Sequence, residues 1–172
     1  MTIIAFNGVA PNIAADAFIA PGARIIGNVT IGARASIWYN CVVRGDVGAI
    51  TIGARTNIQD GSVVHVTGGK YNTVIGEDCL IGHLAMIHGC TLEDHAFVGL
   101  GAIVMDGCVI ETDAMLAAGA MLTPGKRIPA GLLWAGRPAV YLRDLKSDDI
   151  ARNRAGAAGY AELAQRHKRE LS

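Results

Sequence analysis

The chain has 172 residues, and its 15 Lys and Arg balance 15 Asp and Glu, so the formal net charge at pH 7 is zero. This balance argues against a nucleic-acid partner, because no excess of basic side chains is present to neutralise phosphates. Apolar residues make up 51% and charged residues 17% of the sequence, which excludes a disordered chain. No apolar run reaches the roughly 20 residues of a membrane span, and no cationic signal-peptide region is visible, so we also expect no membrane partner.

Residues 1–16 show no periodicity, and we expect them to form an N-terminal cap. From residue 17 to residue 136, branched aliphatic anchors recur every six positions. The phase shifts by three extra residues after Val43 and five after Val64, and it loses one after Ile87. The anchors are Ile19, Ile25, Ile31, Ile37, Val43, Ile52, Ile58, Val64, Ile75, Ile81, Ile87, Leu92, Val98, Val104, Ile110, Leu116, Leu122, Ile128 and Trp134.

A period of six fits neither an α-helix nor a simple alternating strand. It predicts an all-β parallel β-helix, in which each hexapeptide makes one short strand and one corner of a triangular coil. The anchor points inward, a small residue four positions later fits the corner, and glycine after the anchor accepts the corner torsions. Coils of 18 residues, stacked about 4.8 Å apart, would give six or seven coils over residues 17–136.

Residues 137–172 leave the repeat as an exit segment followed by a helix. The helical pattern starts at Ser147, which we expect to be the N-cap. Gly156 and Gly159 weaken the helix, so it should lie against the solenoid, with Tyr160 on the buried face. We interpret the whole chain as a single domain.

Four cysteines form no C-x-x-C pair, which favours reduced thiols and a cytoplasmic location. They are Cys41, Cys79, Cys90 and Cys108.

Histidines fall in a regular phase on this solenoid. His65 follows the anchor Val64 and His88 follows Ile87, so both side chains point outward. They are separated by one coil plus the five-residue insertion, so they should stack about 5 Å apart on one face. Arg44 lies one coil plus the three-residue insertion before His65 and extends the column. Two imidazoles at this separation suit a single metal ion with bonds of about 2.0–2.1 Å.

Asp60 and His83 form a second column on another edge of the triangle, with Gln59 beside Asp60. A ligand on that edge cannot easily reach the first column of its own chain. It could reach the column of a neighbouring subunit in a closed ring, where edge meets face. Two histidines from one subunit and His83 from the next would leave one open position, as in catalytic zinc sites.

Several motifs accompany the repeat: Arg44-Gly45-Asp46, Gln59-Asp60, His65, Gly82-His83-x₄-His88-Gly89-Cys90 and Gly136-Arg137-Pro138-Ala139. With them the chain resembles the gamma-class carbonic anhydrase family, above all its short bacterial members. The resemblance covers nearly the whole chain, whereas the hexapeptide repeat alone is shared with many acyltransferases. It implies a left-handed coil and a homotrimer with metal sites at the subunit interfaces.

The resemblance also implies the ligands. His65 and His88 would bind the metal from one subunit and His83 from its neighbour. The implied metal is Zn²⁺, with Fe²⁺ or Co²⁺ as substitutes. His95 and His167 are expected to be structural or exposed to solvent.

Further roles follow from the same resemblance. Arg44, Asp46 and Asp60 would form interface ion pairs, with Arg44 close to the catalytic centre. Gln59 would position solvent on the metal, and Tyr160 would approach the site from the C-terminal helix.

The sequence departs from the active enzymes of this family at two places. Those enzymes carry acidic residues for proton export, one directly after the Arg-Gly-Asp triplet and one in a longer loop. Here the first position is Val47, and the short stretch 65–74 contains no acid. Metal binding should survive these changes, whereas fast hydration of carbon dioxide should not.

Four functions fit the sequence. The first is hydration of carbon dioxide to bicarbonate by a metal-activated hydroxide. The second is a metal-dependent thioesterase or hydrolase acting on an acyl-CoA. The third is a CoA-dependent acyltransferase that uses a histidine as general base without a metal. The fourth is a non-catalytic trimeric module in which the metal clamps the subunits together.

Overall fold

The computed structural model describes residues 2–171, which form a β-solenoid and a single α-helix. The first strands are β1 (Thr2–Ile4), β2 (Asn12–Ile13), β3 (Phe18–Ile19), β4 (Arg24–Ile31), β5 (Ser36–Ile37), β6 (Val42–Ile52), β7 (Asn57–Ile58), β8 (Val63–His65), β9 (Thr73–Ile75) and β10 (Leu80–Ile81). The remaining elements are β11 (Met86–His88), β12 (Thr91–Leu92), β13 (Phe97–Val98), β14 (Ile103–Val104), β15 (Val109–Ile110), β16 (Met115–Leu116), β17 (Met121–Leu122), β18 (Arg127–Ile128), β19 (Leu132–Gly136), β20 (Ala139–Asp144) and α1 (Ser147–Glu170).

Strands of successive coils pair in parallel and form three faces. Within residues 2–171, the first face contains seven parallel strands, β3, β5, β7, β10, β13, β16 and β19, with β20 antiparallel at its end. The second face contains β8, β11, β14 and β17, and the third contains β9, β12, β15 and β18. The long strands β4 and β6 turn a corner and belong to both of these faces. A β-solenoid of about seven turns with a C-terminal helix, over the described residues, confirms the predicted fold class.

The six-residue anchors form the core. Ile58 and Leu116 are fully buried, as is the small corner residue Ala96. The end anchors Ile19 and Trp134 are only partly buried, because they lie at the two ends of the stack. The interior is therefore one continuous column, and each buried aliphatic side chain contributes about 1.5–3 kcal/mol of transfer free energy.

The glycines that follow the anchors serve a purpose different from the one predicted. A Cβ at Gly99 would lie 2.3 Å from the backbone nitrogen of Ala118, and a Cβ at Gly53 would lie 2.5 Å from the Gly76 carbonyl. The left-handed torsion falls two residues later, for example at Arg55 with φ 59°. The prediction that these glycines accept the corner torsions is wrong, because what they provide is room for the backbone of the next coil.

The start of α1 also differs from the prediction. The N-cap is Lys146, and Ser147 is the first helical residue. The backbone N–H of Lys146 donates to the Asp149 carboxylate at 3.0 Å. The backbone N–H of Asp149, which an N-cap serine hydroxyl would otherwise serve, donates to the Lys146 carbonyl at 3.0 Å.

The helix α1 lies on the first face, where it contacts β3, β5, β7 and β10. Arg154 donates to both carboxylate oxygens of Asp113, at 2.8 and 2.6 Å, and Arg34 contacts Glu162 at 2.6 Å. The residues of α1 that are buried against the solenoid are Ala157, Ala161 and Ala164. Packing of small residues, flanked by these ion pairs, fixes the position of α1 relative to the coils.

All four cysteines are free and buried. Burial raises the pKa of Cys41 to about 11 and that of Cys79 to about 12, so these two thiols are protonated near neutral pH. Within residues 2–171, no helix is both long enough and apolar enough to cross a membrane.

The core predicts a clear difference between two substitutions of similar size. Ile81→Ala should lower the free energy of unfolding by about 2–5 kcal/mol, because Ile81 is 0% exposed and its removal leaves a cavity. Val74→Ala should change it by no more than about 0.5 kcal/mol, because Val74 is 44% exposed. Urea unfolding at a fixed protein concentration measures both. Equal losses would contradict the assignment of the six-residue anchors to the core.

Candidate metal centre

His65 and His88 lie side by side on the second face. They are direct partners in the parallel register between β8 and β11. Their ring centroids are 5.1 Å apart, and Nδ1 of His65 lies 3.1 Å from Nε2 of His88. The coil arithmetic of the sequence leads to the same stacking. The two imidazoles therefore present one nitrogen each to a common point.

Each of these rings has a carboxylate at its other nitrogen. His65 Nε2 lies 3.0 Å from an Asp46 oxygen, and His88 Nδ1 lies 2.6 Å from an Asp106 oxygen. If each neutral ring donates its N–H to its carboxylate, both facing nitrogens carry a lone pair. Histidines that bind metals have this arrangement, in which the second nitrogen donates to a carboxylate or carbonyl.

Arg44 extends the network from the neighbouring coil. Its guanidinium donates to the carboxylate of Asp46, two residues along β6 in the same chain. Burial raises the pKa of Asp46, but the hydrogen bonds from His65 and Arg44 outweigh this effect and hold it below its usual value. Asp46 therefore stays ionised and holds both His65 and Arg44.

Asp106 was not among the residues predicted from the sequence. Its second oxygen accepts a hydrogen bond from the Thr67 hydroxyl at 2.7 Å. Burial raises the pKa of Asp106, but the hydrogen bonds from Thr67 and His88 together outweigh this effect and leave it below its usual value. Its position in the sequence could have identified it. Asp106 follows Val104 by two residues, and Val104 is the anchor one coil after Ile87, the anchor that precedes His88.

His83 and Asp60 lie at a different edge, between the first and second faces. Nδ1 of His83 is 2.8 Å from the Asp60 carboxylate, and their side chains are 39% and 41% exposed. His83 thus repeats the pattern of a histidine with a carboxylate at one nitrogen. Within residues 2–171, no three His, Cys, Asp or Glu side chains of one chain group around a common metal position.

Gln59 and Tyr160 lie on the first face. Gln59 is 3% exposed, and its Nε2 donates to Asn57 at 3.1 Å. Tyr160 packs edge-on against Trp38, with ring centroids 5.5 Å apart. Burial raises the pKa of Tyr160, and the charge of Asp60 adds to this effect. Both residues therefore belong with the edge that carries His83, whereas the His65–His88 pair is on the second face.

The two remaining histidines lie away from this pair. His167 accepts or donates a hydrogen bond with the Tyr39 hydroxyl at 2.9 Å and packs against Trp38. His95 lies at a corner with φ 62°.

The insertion after His65 folds back beside the histidine pair, where the Thr67 hydroxyl contacts Asp106. Thr67 and Tyr71 form an antiparallel bridge, and Asn72 accepts a hydrogen bond from the Ala49 backbone at 2.9 Å. Val47 is 52% exposed. The carboxylate beside the histidine pair on this side comes from Asp106, one coil beyond His88 and two coils beyond the insertion.

Comparison with known proteins identifies the family. Residues 10–45 match a family model described as bacterial transferase hexapeptide (six repeats). The chain is 41% identical over 167 residues to a carbonic anhydrase of Geobacillus kaustophilus, with 96% of this chain and 91% of that protein aligned. The chain belongs to the gamma carbonic anhydrase-like family of hexapeptide-repeat proteins.

Two further members show how far the likeness extends. Gamma carbonic anhydrase 1 of Arabidopsis thaliana, a mitochondrial protein, is 48% identical over 166 residues, which are 94% of this chain and 60% of that protein. The chain thus spans about three fifths of the length of its plant relatives. A hexapeptide transferase family protein of Anaplasma phagocytophilum superposes with a TM-score of 0.92 and 49% identity, covering 95% of this chain and 96% of that one.

The carboxylates of this gamma carbonic anhydrase-like site predict a dependence of stability on pH. The pKa of Asp46 is lower in the folded chain than in the unfolded chain, so its contribution is present above about pH 4 and is lost as the pH falls through the folded value. The free energy of unfolding of the metal-free protein should therefore fall from pH 6 to pH 3. Asp46→Asn should be less stable at pH 6, but its stability should fall less steeply. Parallel curves for the two proteins would contradict this assignment.

Proposed function

We propose that this protein is a gamma-type carbonic anhydrase that hydrates carbon dioxide at metal sites shared between the subunits of a homotrimer. The observation that carries the proposal is the pair of nitrogens of His65 and His88, 3.1 Å apart, with a carboxylate at the far nitrogen of each ring. Two metal–nitrogen bonds of about 2.0–2.1 Å can bridge this separation.

The charges around the pair also favour a cation. Asp46 and Asp106 carry two negative charges, Arg44 carries one positive charge, and the neutral imidazoles carry none. A divalent ion therefore meets a local excess of negative charge. Neutral imidazole suits Zn²⁺, which is our first choice, and it also suits Fe²⁺ and Co²⁺.

The third ligand in this proposal is His83 of a neighbouring subunit. In one chain, His83 lies on an edge of the solenoid, and the pair lies on a face. A closed cyclic trimer can place each edge against the next face, because heterologous contacts close into a ring. Gln59 and Tyr160 would then reach the site together with His83. Because Nε2 of Gln59 donates to Asn57, its Oε1 is the atom that it offers to solvent.

A bound Zn²⁺ would supply the nucleophile, since it would lower the pKa of a coordinated water to about 7. The residues of the chain prepare the ligands for it. The carboxylate of Asp46 lies at Nε2 of His65 and that of Asp106 at Nδ1 of His88, so the opposite nitrogens would face the metal. Arg44 fixes Asp46 in turn. With Val47 and an insertion without acids, we expect proton export to depend on buffer in solution.

A thioesterase acting on an acyl-CoA is the second candidate, and one observation favours it. A cavity of about 320 Å³ adjoins His88 and Asp106 and is lined mainly by the apolar side chains of Met86, Ile103 and Met105. This space is larger than carbon dioxide requires and suits an acyl chain.

A metal-free acyltransferase and a non-catalytic trimeric module are the third and fourth candidates. A cytoplasmic location remains part of the proposal.

Stopped-flow hydration of carbon dioxide by metal-loaded protein tests the activity. We expect hydration whose rate rises with buffer concentration, because no acidic shuttle is present near Val47. His65→Ala, His83→Ala and His88→Ala should each lose bound metal and hydration together. His95→Asn is the matched control, since asparagine tolerates the φ of 62° at that corner.

Different results would favour different candidate functions. Metal binding with thioester cleavage and no hydration would favour the thioesterase. Acyl transfer without metal would favour the acyltransferase, and metal without any turnover would favour the non-catalytic module. Equal metal loss in the His95→Asn control would refute the assigned ligands.

Mixed trimers test the sharing of the site. His83→Ala chains retain the pair, and His65→Ala/His88→Ala chains retain His83. Each heterotrimer should contain one junction in which an intact pair meets an intact His83, and each homotrimer should contain none. After joint refolding and purification by two tags, about one metal ion per heterotrimer is expected. No metal in folded heterotrimers would show that the three histidines do not combine across subunits.

A further inference from the structure

Asp106 lies between a histidine of the proposed metal site and the insertion that follows His65. One carboxylate oxygen is 2.6 Å from Nδ1 of His88, and the other accepts from the Thr67 hydroxyl at 2.7 Å. Its side chain is 30% exposed. Both oxygens are therefore engaged on defined partners, one of which is a proposed ligand.

The backbone holds Asp106 firmly in this place. Its carbonyl accepts a hydrogen bond from Gly125 at 2.9 Å, and the following Gly107 donates to the Gly89 carbonyl at 2.8 Å. Coils on both sides of Asp106 thus fix the chain at this corner. The carboxylate is presented to His88 from a rigid support.

Gly89 provides the space that this contact requires. A Cβ at Gly89 would lie 2.3 Å from the Asp106 oxygen that faces His88. Gly89 also has a φ of 55°, and its N–H donates to the Thr73 hydroxyl at 3.0 Å. A side chain at this position would push the carboxylate away from the imidazole.

We propose that Asp106 is a positioning residue that holds His88 in the tautomer with the proton on Nδ1, so that the lone pair of Nε2 faces His65. The hydrogen bond made by one ring nitrogen decides which nitrogen carries the proton. Without a partner at Nδ1, the proton of a neutral imidazole can move to Nε2 and block the metal-binding lone pair. Thr67 acts one step further out, by orienting the carboxylate of Asp106. This inference rests on the proposed role of His88 as a ligand.

The first measurement reads the tautomer in the metal-free protein. Nitrogen-15 NMR of labelled histidine rings at pH 8.5, where an ordinary histidine is neutral, distinguishes the two tautomers. His88→Gln identifies the signal of His88 by its loss. The parent protein should show His88 protonated on Nδ1, and Asp106→Ala should shift the population towards Nε2.

The second measurement is the affinity for Co²⁺, determined by competition with a chelator. Asp106→Ala should weaken it by about 10–100-fold, as expected for loss of a carboxylate that orients a ligand. Thr67→Val, which keeps the carboxylate, should weaken it less and shift the tautomer partially. Asp94→Ala is the matched control, because this carboxylate accepts a backbone hydrogen bond at 2.8 Å from Glu77 and not from a histidine.

An unchanged tautomer in both Asp106→Ala and Thr67→Val would overturn the proposal, even if the affinity for Co²⁺ falls. The same applies if Asp94→Ala changes the tautomer as much as Asp106→Ala does. If Asp106→Ala does not fold, Thr67→Val decides the outcome. A parent protein that binds no metal would refute the proposed function, whereas the tautomer of its His88 would still report on Asp106.

Discussion

Parallel pairing between successive coils is the interaction on which the rest of the structure depends. It places each residue directly beside its counterpart one coil earlier, regardless of how many residues the corner between them contains. The pairing of Val63–His65 with Met86–His88 spans the five-residue insertion without any change of register. The same backbone hydrogen bonds therefore build the aliphatic core and bring two imidazoles to contact distance.

Stacking of the coils brings residues from several coils together in one polar site. His65 and His88 come from equivalent positions of adjacent coils, Asp46 from the corner of the coil before, and Asp106 from the corner of the coil after. No single segment of the sequence contains this network. These side chains are close to one another because the coils are stacked closely. The sheet therefore determines how accurately the site is positioned.

Much of this could be predicted from the sequence, because the period fixes which residues point inward and which column each outward residue joins. The anchors and the columns of His65 with His88 and of Asp60 with His83 follow from that arithmetic alone. The contacts of Asp106 do not, because a side chain at a corner has no direction given by alternation. The conformation of the insertion that contains Thr67 has no period either. The prediction for glycines such as Gly53 is wrong because the distance between two neighbouring coils depends on both coils. The sequence of a single hexapeptide does not reveal it.

The insertion between His65 and Thr73 leaves the register on either side of it intact, with β8 beside β11 and β9 beside β12. The length of this insertion therefore does not affect the strands around it. Residues can be added or removed at this corner while the histidine pair keeps its spacing. A change in this insertion can therefore alter the surroundings of the histidine pair without moving the strands that align it. In this chain the insertion carries Thr67, whose hydroxyl reaches the carboxylate of Asp106 two coils further along the solenoid.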